Sequence, residues 1–209
     1  MDILSILVLV LENLKRMKKL LLLLLCVPLI GLGQETGCIK GDCENGYGTF
    51  RWQGTGVSYT YIGEFKDGEE NGQGTYIHSS GMKYVGKYKD GGKNGQGTMT
   101  WEEGHQFGGD KYVGEFKESM FHGKGTYTFW QGGGDHQQQQ QGQHSSYGKK
   151  YVGEWYWGKK QGQGTMMYAN GNKYIGKWYQ NFPSGKGTMI YLDGTIKEGL
   201  WESGEFIGK

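Results

Sequence analysis

The chain has 209 residues, of which 41 are glycine, and 14% of its residues are aromatic. Glycine is about three times its average frequency, but disordered and fibrous chains avoid this many aromatic rings. The formal net charge is +2. The first 33 residues carry that excess, so acidic and basic residues balance from Gln34 onward, which argues against electrostatic binding to nucleic acid.

The N-terminal segment has the parts of a secretory signal peptide. Met17 and two lysines precede the apolar run Leu20–Leu32, and cleavage is predicted before Gln34. Residues Met1–Arg16 form an unusual preamble, so translation is predicted to start at Met17, with an uncleaved membrane anchor as the alternative. The sequence therefore predicts two parts, an N-terminal extension with signal peptide over 1–33 and a mature region over 34–209.

The mature region begins with two closely spaced cysteines, Cys38 and Cys43. In an exported protein such a pair favours a disulfide, here closing a hairpin with a turn over Ile39–Asp42. Two free thiols or a partial metal site are the alternatives. Zinc would need two further ligands, and the nearest histidine is His78, so no metal is predicted.

A repeat then occupies the rest of the chain. Tyr61-Ile-Gly-Glu-Phe, followed by Gly72-Gln-Gly74-Thr75, recurs in five near-complete copies, with a degenerate copy before them and a truncated copy after them. The base period is 23 residues, and the copies start at residues 35, 61, 84, 112, 151, 174 and 197. Because strand residues two apart share a face, each copy is predicted to be a β-hairpin with its rings and glycines on one side. Lys-Asp-Gly68 and Lys-Asp-Gly91 suit tight hairpin turns.

These repeats resemble the MORN (membrane occupation and recognition nexus) repeat, whose consensus is close to Tyr-x-Gly-x-Trp/Phe followed by Gly-x-Gly. The resemblance covers nearly all of 35–209. It implies an all-β fold, an elongated single-layer antiparallel β-hairpin solenoid, and it implies no particular activity. The family name suggests lipid headgroups as one class of ligand.

The ring-bearing face is the feature on which a functional prediction depends. Rings are expected to pack over glycines of the neighbouring strand, but a single-layer sheet should leave some of them accessible, and exposed apolar surface marks partner sites. The predicted interaction face comprises Trp52, Tyr61, Phe65, Tyr84, Tyr88, Trp101, Tyr112, Phe116, Phe129, Tyr151, Trp155, Tyr168, Tyr174, Trp178, Tyr191 and Trp201.

Two further features carry weaker hypotheses. A Gln-rich insertion over about 131–150 is predicted to be a passive loop, with a functional grafted loop as the alternative. Glu64, Glu115 and Glu154 share one repeat position with Lys87 and Lys177, which favours a solvated charged face over catalytic carboxylates. Nucleophile and phosphate-loop motifs are lacking in the sequence, so no catalytic residue, enzyme activity or cofactor is predicted.

The sequence therefore predicts an exported, secreted or envelope-located, non-enzymatic module. A protein partner or scaffold role is the leading prediction, and an envelope glycan or phospholipid is the alternative ligand. The balanced charge weakens the lipid version.

Overall fold

The computed structural model describes residues 36–102, 107–130 and 148–209. The predicted signal peptide and most of the Gln-rich insertion lie outside these residues. Within them, all regular structure is β, and none of it is a helix that could span a membrane. The fourteen strands are β1 Gly37–Gly41, β2 Tyr47–Gly54, β3 Val57–Lys66, β4 Glu69–His78, β5 Met82–Lys89, β6 Gly92–Trp101, β7 Lys111–Lys117, β8 Met120–Thr128, β9 Gly148–Tyr156, β10 Lys159–Tyr168, β11 Lys173–Tyr179, β12 Phe182–Ile190, β13 Ile196–Glu202 and β14 Glu205–Gly208.

The strands form one open sheet in which spatial order equals chain order, β1 to β14, and every neighbouring pair is antiparallel. Each strand pairs only with its sequence neighbours, as expected of a linear repeat array. The predicted all-β hairpin solenoid is confirmed.

Two-residue turns close the hairpins of the complete copies. Asp67 and Gly68 have φ angles of 53° and 78°, and Asp90 and Gly91 have 50° and 72°. Two successive positive φ angles fit the type I′ turn, whose twist matches that of the flanking strands. The predicted turns at Gly68 and Gly91 are therefore confirmed. The fourth copy uses Trp157 and Gly158 at the same positions, with φ 48° and 77°.

A β-bulge interrupts the register inside each complete hairpin. In the copy starting at Tyr61, the register shifts between Gly63 and Glu64, and the opposing strand has Gly72 at φ 63°. The corresponding glycines, which also have positive φ, are Gly95, Gly123, Gly162 and Gly185. A glycine at positive φ in a bulge bends the strand and increases its twist. The sheet is therefore bent at the same place in each of these copies.

One predicted boundary is wrong. Ile39 belongs to β1, and the first turn begins at Asp42, because the Asp42 carboxylate accepts backbone hydrogen bonds from Glu44 (2.9 Å) and Asn45 (3.0 Å) and so fixes the turn there. The strand that follows the Gln-rich insertion, β9, begins at Gly148, close to the predicted end of the insertion at about residue 150.

Candidate functional site

The ring face, defined as the sheet face that carries the sixteen predicted interaction residues, is largely the core of the protein. Twelve of the sixteen are buried: Tyr61, Phe65, Tyr84, Tyr88, Trp101, Tyr112, Phe116, Tyr151, Trp155, Tyr174, Trp178 and Trp201. They contact one another along the array, as in the edge-to-face pair of Tyr112 and Phe116, whose ring centroids are 5.1 Å apart. These twelve residues are therefore unavailable to a partner, and the predicted interaction face is wrong for them.

The leading tyrosine of each complete copy is held by a bond within its own strand. The hydroxyl of Tyr112 donates to the carbonyl of Glu115 at 3.0 Å, three residues along, so the ring lies parallel to the strand. Tyr61, Tyr84, Tyr151 and Tyr174 donate to the same relative carbonyl at 2.9 to 3.1 Å. In this orientation each ring covers two glycines. A Cβ added at Gly125 would collide with the ring of Tyr112, and a Cβ added at Gly114 would collide with the backbone of Gly125 and the hydroxyl of Tyr112.

The bulges explain how one sheet layer buries so many rings. A flat sheet would leave the ring face open to water. Bending each hairpin at its bulge lets the side chains of one face meet over the glycines. Adjacent copies then share contacts, as when Tyr84 packs against Phe116 of the next copy at a centroid distance of 4.8 Å.

The other four predicted interaction residues are less covered. Trp52 is 38% exposed, and Phe129, Tyr168 and Tyr191 are half-buried. Trp52 belongs to a stacked series near the N-terminal end of the sheet. Its ring stacks on Tyr59 at 5.6 Å, and Tyr59 stacks on Tyr76 at 5.1 Å.

Three ionisable side chains lie among the rings. Burial raises the pKa of Glu70 and lowers the pKa of Lys93, and the attraction between the two charges partly opposes both shifts. Burial also lowers the pKa of Lys160 to about 8. The Lys160 ammonium lies 5.0 Å from the Trp178 ring centroid and 5.6 Å from that of Tyr151. These residues replace the apolar side chain that Phe121 provides at the same position of the third copy.

Tyr88 is the one tyrosine at its position among the complete copies. It stands where the other complete copies have phenylalanine or tryptophan, and it lies beside Lys93 on the neighbouring strand. The residue is 5% exposed, and its hydroxyl is buried without a hydrogen-bond partner. Burial is the main reason that its pKa is raised.

The opposite face of the sheet carries exposed aliphatic side chains. The sequence pattern predicted this face only as a solvated, charged surface. One residue from each of eleven strands lies in register across the sheet and forms what we call the aliphatic ladder: Thr49, Ile62, Thr75, Val85, Thr98, Val113, Thr126, Val152, Thr165, Ile175 and Thr188. Four of its five aliphatic members stay accessible, with Val85 46%, Val113 43%, Val152 47% and Ile175 41% exposed, and Ile62 is half-buried. The signal for it was present in the sequence as the second residue of the Tyr-x-Gly motif, which is isoleucine or valine in every complete copy.

Two rows of polar side chains flank the aliphatic ladder on the same face. One row, the lysine ladder, consists of Lys83, Thr100, Lys111, Thr128, Lys150, Met167 and Lys173 in continuous register from β5 to β11. The row on the other side pairs charges of both signs, as in Lys124 opposite Glu154. The two flanks of the aliphatic ladder therefore differ in charge.

The glutamates of the Tyr-x-Gly-Glu motif have a local structural role. The Glu154 carboxylate accepts a hydrogen bond from the Gln163 backbone N–H at 3.0 Å, immediately after the bulge glycine Gly162. Glu64 and Glu115 make the same bond at 2.9 and 3.1 Å. Since a bulge leaves a backbone group unpaired in the ladder, these carboxylates satisfy it. This is a role that the prediction of a merely solvated face did not include.

The two cysteines and the histidines of the described residues form no further site. Cys38 and Cys43 are joined in a disulfide that links β1 to the first turn. His78 shares a short hydrogen bond with Ser80, and His122 contacts the ring of Tyr156. In the part of the chain that the structure describes, no three His, Cys, Asp or Glu side chains cluster in a way that could hold a metal ion.

Comparison with known proteins agrees with this geometry. A family model described as MORN repeat matches residues 61–83, 84–106, 112–133, 151–173 and 174–196, which together make up more than half of the chain. The five matches start at the five complete copies. No curated protein matches the chain significantly.

Proposed function

The chain belongs to the MORN repeat family, and we propose that it is an exported, non-enzymatic scaffold that binds a protein partner through its aliphatic ladder. MORN repeats suggest a binding or scaffold role in general terms. The exposed valines and isoleucine of four consecutive copies are the observation that carries the finer proposal.

The reason is the environment of those side chains. Val113 and Val152 are each more than 40% exposed, although they lie in the middle of the sheet, between paired strands. A shallow depression between the aliphatic ladder and the mixed-charge row is lined by Val113, Thr126 and Val152, with the backbone of Gly125 also lining it. Thr126 separates the two valines, and Lys124 and Glu154 also line the depression, so the surface is a row of exposed aliphatic side chains bordered by polar groups. Exposed apolar surface with a polar rim is typical of an interaction site.

Export is proposed from the predicted signal peptide, and the disulfide between Cys38 and Cys43 is compatible with an oxidising compartment. Mass spectrometry of the protein from its native host tests this directly. We expect a mature N-terminus at Gln34 and no free thiol. A species that retains Met1–Arg16 would contradict the proposal of a cleaved signal.

The binding proposal is tested by affinity capture. The full chain, carrying a C-terminal tag, is used as bait in its native host, and bound proteins are quantified after washing. We expect one protein at a constant ratio to the bait. Capture that is unchanged by Val113→Lys together with Val152→Lys would contradict binding through the aliphatic ladder.

A glycan is the second candidate ligand, and the stacked rings at the N-terminal end favour it. Trp52 is exposed beside Tyr59, and stacked aromatic side chains with an apolar face are suited to sugar rings. Sedimentation with insoluble envelope polysaccharide tests this candidate. Pelleting that Trp52→Ala abolishes would support it, and its absence would exclude it.

A further inference from the structure

We infer that the partner of the aliphatic ladder is an amphipathic α-helix with an acidic flank, lying across the strands. The inference rests on the proposed function and specifies the partner of that same surface. It follows from three properties of this face: its charge asymmetry, its spacing and its width.

The charge asymmetry comes from the lysine ladder. From β5 to β11 this row contains four lysines and no acidic residue, and Lys83, Lys111 and Lys150 are exposed. The repeat does not demand this arrangement on its own, since the other flank alternates acidic, basic and neutral side chains at equivalent strands. An anionic partner surface is therefore complementary in charge to the lysine ladder, whereas the flank with charges of both signs neither attracts nor repels it strongly.

Because the aliphatic ladder lies between the two charged flanks, a purely ionic ligand is not the best fit to this face. A polyanion would neutralise the lysines and leave Val85, Val113 and Val152 in contact with water. A partner that carries apolar and acidic groups side by side satisfies both rows. The partner is thus expected to be amphipathic.

The spacing matches an α-helix. Valine or isoleucine recurs on every second strand of this face, which corresponds to about 9.6 Å across the sheet. Seven residues of an α-helix rise about 10.5 Å, so apolar side chains recurring each heptad stay close to this spacing over about three copies.

The combined width of the aliphatic and lysine ladders also fits an α-helix. The lysine and aliphatic ladders are two residues apart along each strand, about 7 Å, and a helix about 10 Å in diameter spans both, whereas an extended peptide spans one.

The test uses the full chain and synthetic peptides of about 21 residues, which is three heptads. The first peptide has leucine on its apolar side and glutamate on one flank, and the second has lysine in place of each glutamate. Binding is measured by fluorescence anisotropy at low and high salt. We expect the glutamate peptide to bind at least tenfold more tightly than the lysine peptide and to weaken as salt increases.

Two double variants of the full chain locate the binding. Lys83→Glu with Lys111→Glu changes the lysine ladder. Lys66→Glu with Lys89→Glu makes the same change in net charge on the same face, near the hairpin turns. The first pair is expected to weaken binding about tenfold and the control pair less than twofold. Equal weakening by both pairs would overturn the inference.

Polyglutamate and vesicles with anionic lipid are the remaining probes. Binding of polyglutamate as tight as that of the glutamate peptide, or pelleting with the vesicles, would overturn the helical partner in favour of a polyanion or a membrane surface. Failure of the glutamate peptide, together with affinity capture that still depends on Val113 and Val152, would overturn this inference and leave the proposed function standing. Capture that does not depend on those valines would contradict the proposed function itself.

Discussion

Tyr112 lies across Gly125 so closely that any side chain at position 125 would collide with its ring. The contact recurs in each complete copy, between Tyr61 and Gly74 in the first of them and between Tyr174 and Gly187 in the last. It links the two strands of a hairpin through one ring and one glycine. The repeated Tyr and Gly are therefore a single packing unit.

Gly125→Ala is expected to destabilise the protein by about 2 kcal/mol, because the added methyl forces the Tyr112 ring out of its place in the core. Gly92→Ala is the matched control. A Cβ at position 92 meets its nearest neighbours at 3.6 and 3.7 Å, ordinary contact distances, so we expect a change below about 0.5 kcal/mol. Thermal and urea unfolding measure both. Equal losses would show that glycine is needed at these positions for reasons other than the ring.

Glu154→Ala is expected to cost about 1 kcal/mol, because the Gln163 N–H loses its charged acceptor. Amide hydrogen exchange at Gln163 should become faster. Lys177→Ala is the natural control, since the copy that starts at Tyr174 has lysine at this position. Exchange at Gln163 that is unchanged in Glu154→Ala would contradict the proposed role of the carboxylate.

The buried side chain of Lys160 is expected to make the protein more stable as the pH rises above 8. Burial lowers its pKa from 10.5 to about 8, so between these values the unfolded chain binds the proton and the folded chain does not. The free energy of unfolding is therefore expected to increase by roughly 0.5–1 kcal/mol from pH 8 to pH 9. Toward pH 10 the trend reverses, because burial raises the pKa of several tyrosines, that of Tyr84 to about 12, and the unfolded chain then ionises first.

Lys160→Met isolates this effect, because the variant keeps an apolar chain among the same rings. We expect it to be more stable than the wild type at pH 7 and to lack the rise between pH 8 and pH 9. A wild-type curve that is flat over that range, or a rise that persists in the variant, would mean that the three surrounding rings hold the ammonium in its charged form.

Cys38→Ser with Cys43→Ser is expected to destabilise only the N-terminal edge. The disulfide closes a short loop, for which the chain-entropy model gives about 2 kcal/mol. Strands β1 and β2 should exchange faster, while amides of the central copies keep their protection. Loss of protection throughout the sheet would show that the edge hairpin supports the whole array.

Much of this fold could be predicted from the sequence, because the same strand pattern recurs in each copy of the repeat. The alternation of Tyr61, Gly63 and Phe65 against Ile62 and Glu64 fixed the strands and their faces. The Asp-Gly turns were equally visible. Because each strand pairs only with the strands that precede and follow it in the chain, the pattern within single copies is sufficient to predict the sheet.

The burial of the rings could not be predicted in the same way. It depends on the bulges at positions such as Gly72 and Gly123, which bend the sheet around the rings, and a glycine pattern does not distinguish a bulge from an ordinary close approach. Once the rings are buried, the outward-facing residues of the same motif become the accessible surface. The functional hypothesis therefore moves from Tyr84 to Val85 on the same strand.

The central claim is that the aliphatic ladder is the binding surface and that the ring face is core. Comparing two double variants of the full chain for binding to the captured partner tests it most directly. Val113→Lys with Val152→Lys changes the aliphatic ladder, and Trp52→Ala with Tyr191→Ala changes accessible rings of the other face. We predict that the first pair lowers affinity at least tenfold and that the second leaves it within twofold. Loss of binding in the ring pair with full binding in the ladder pair would contradict the account.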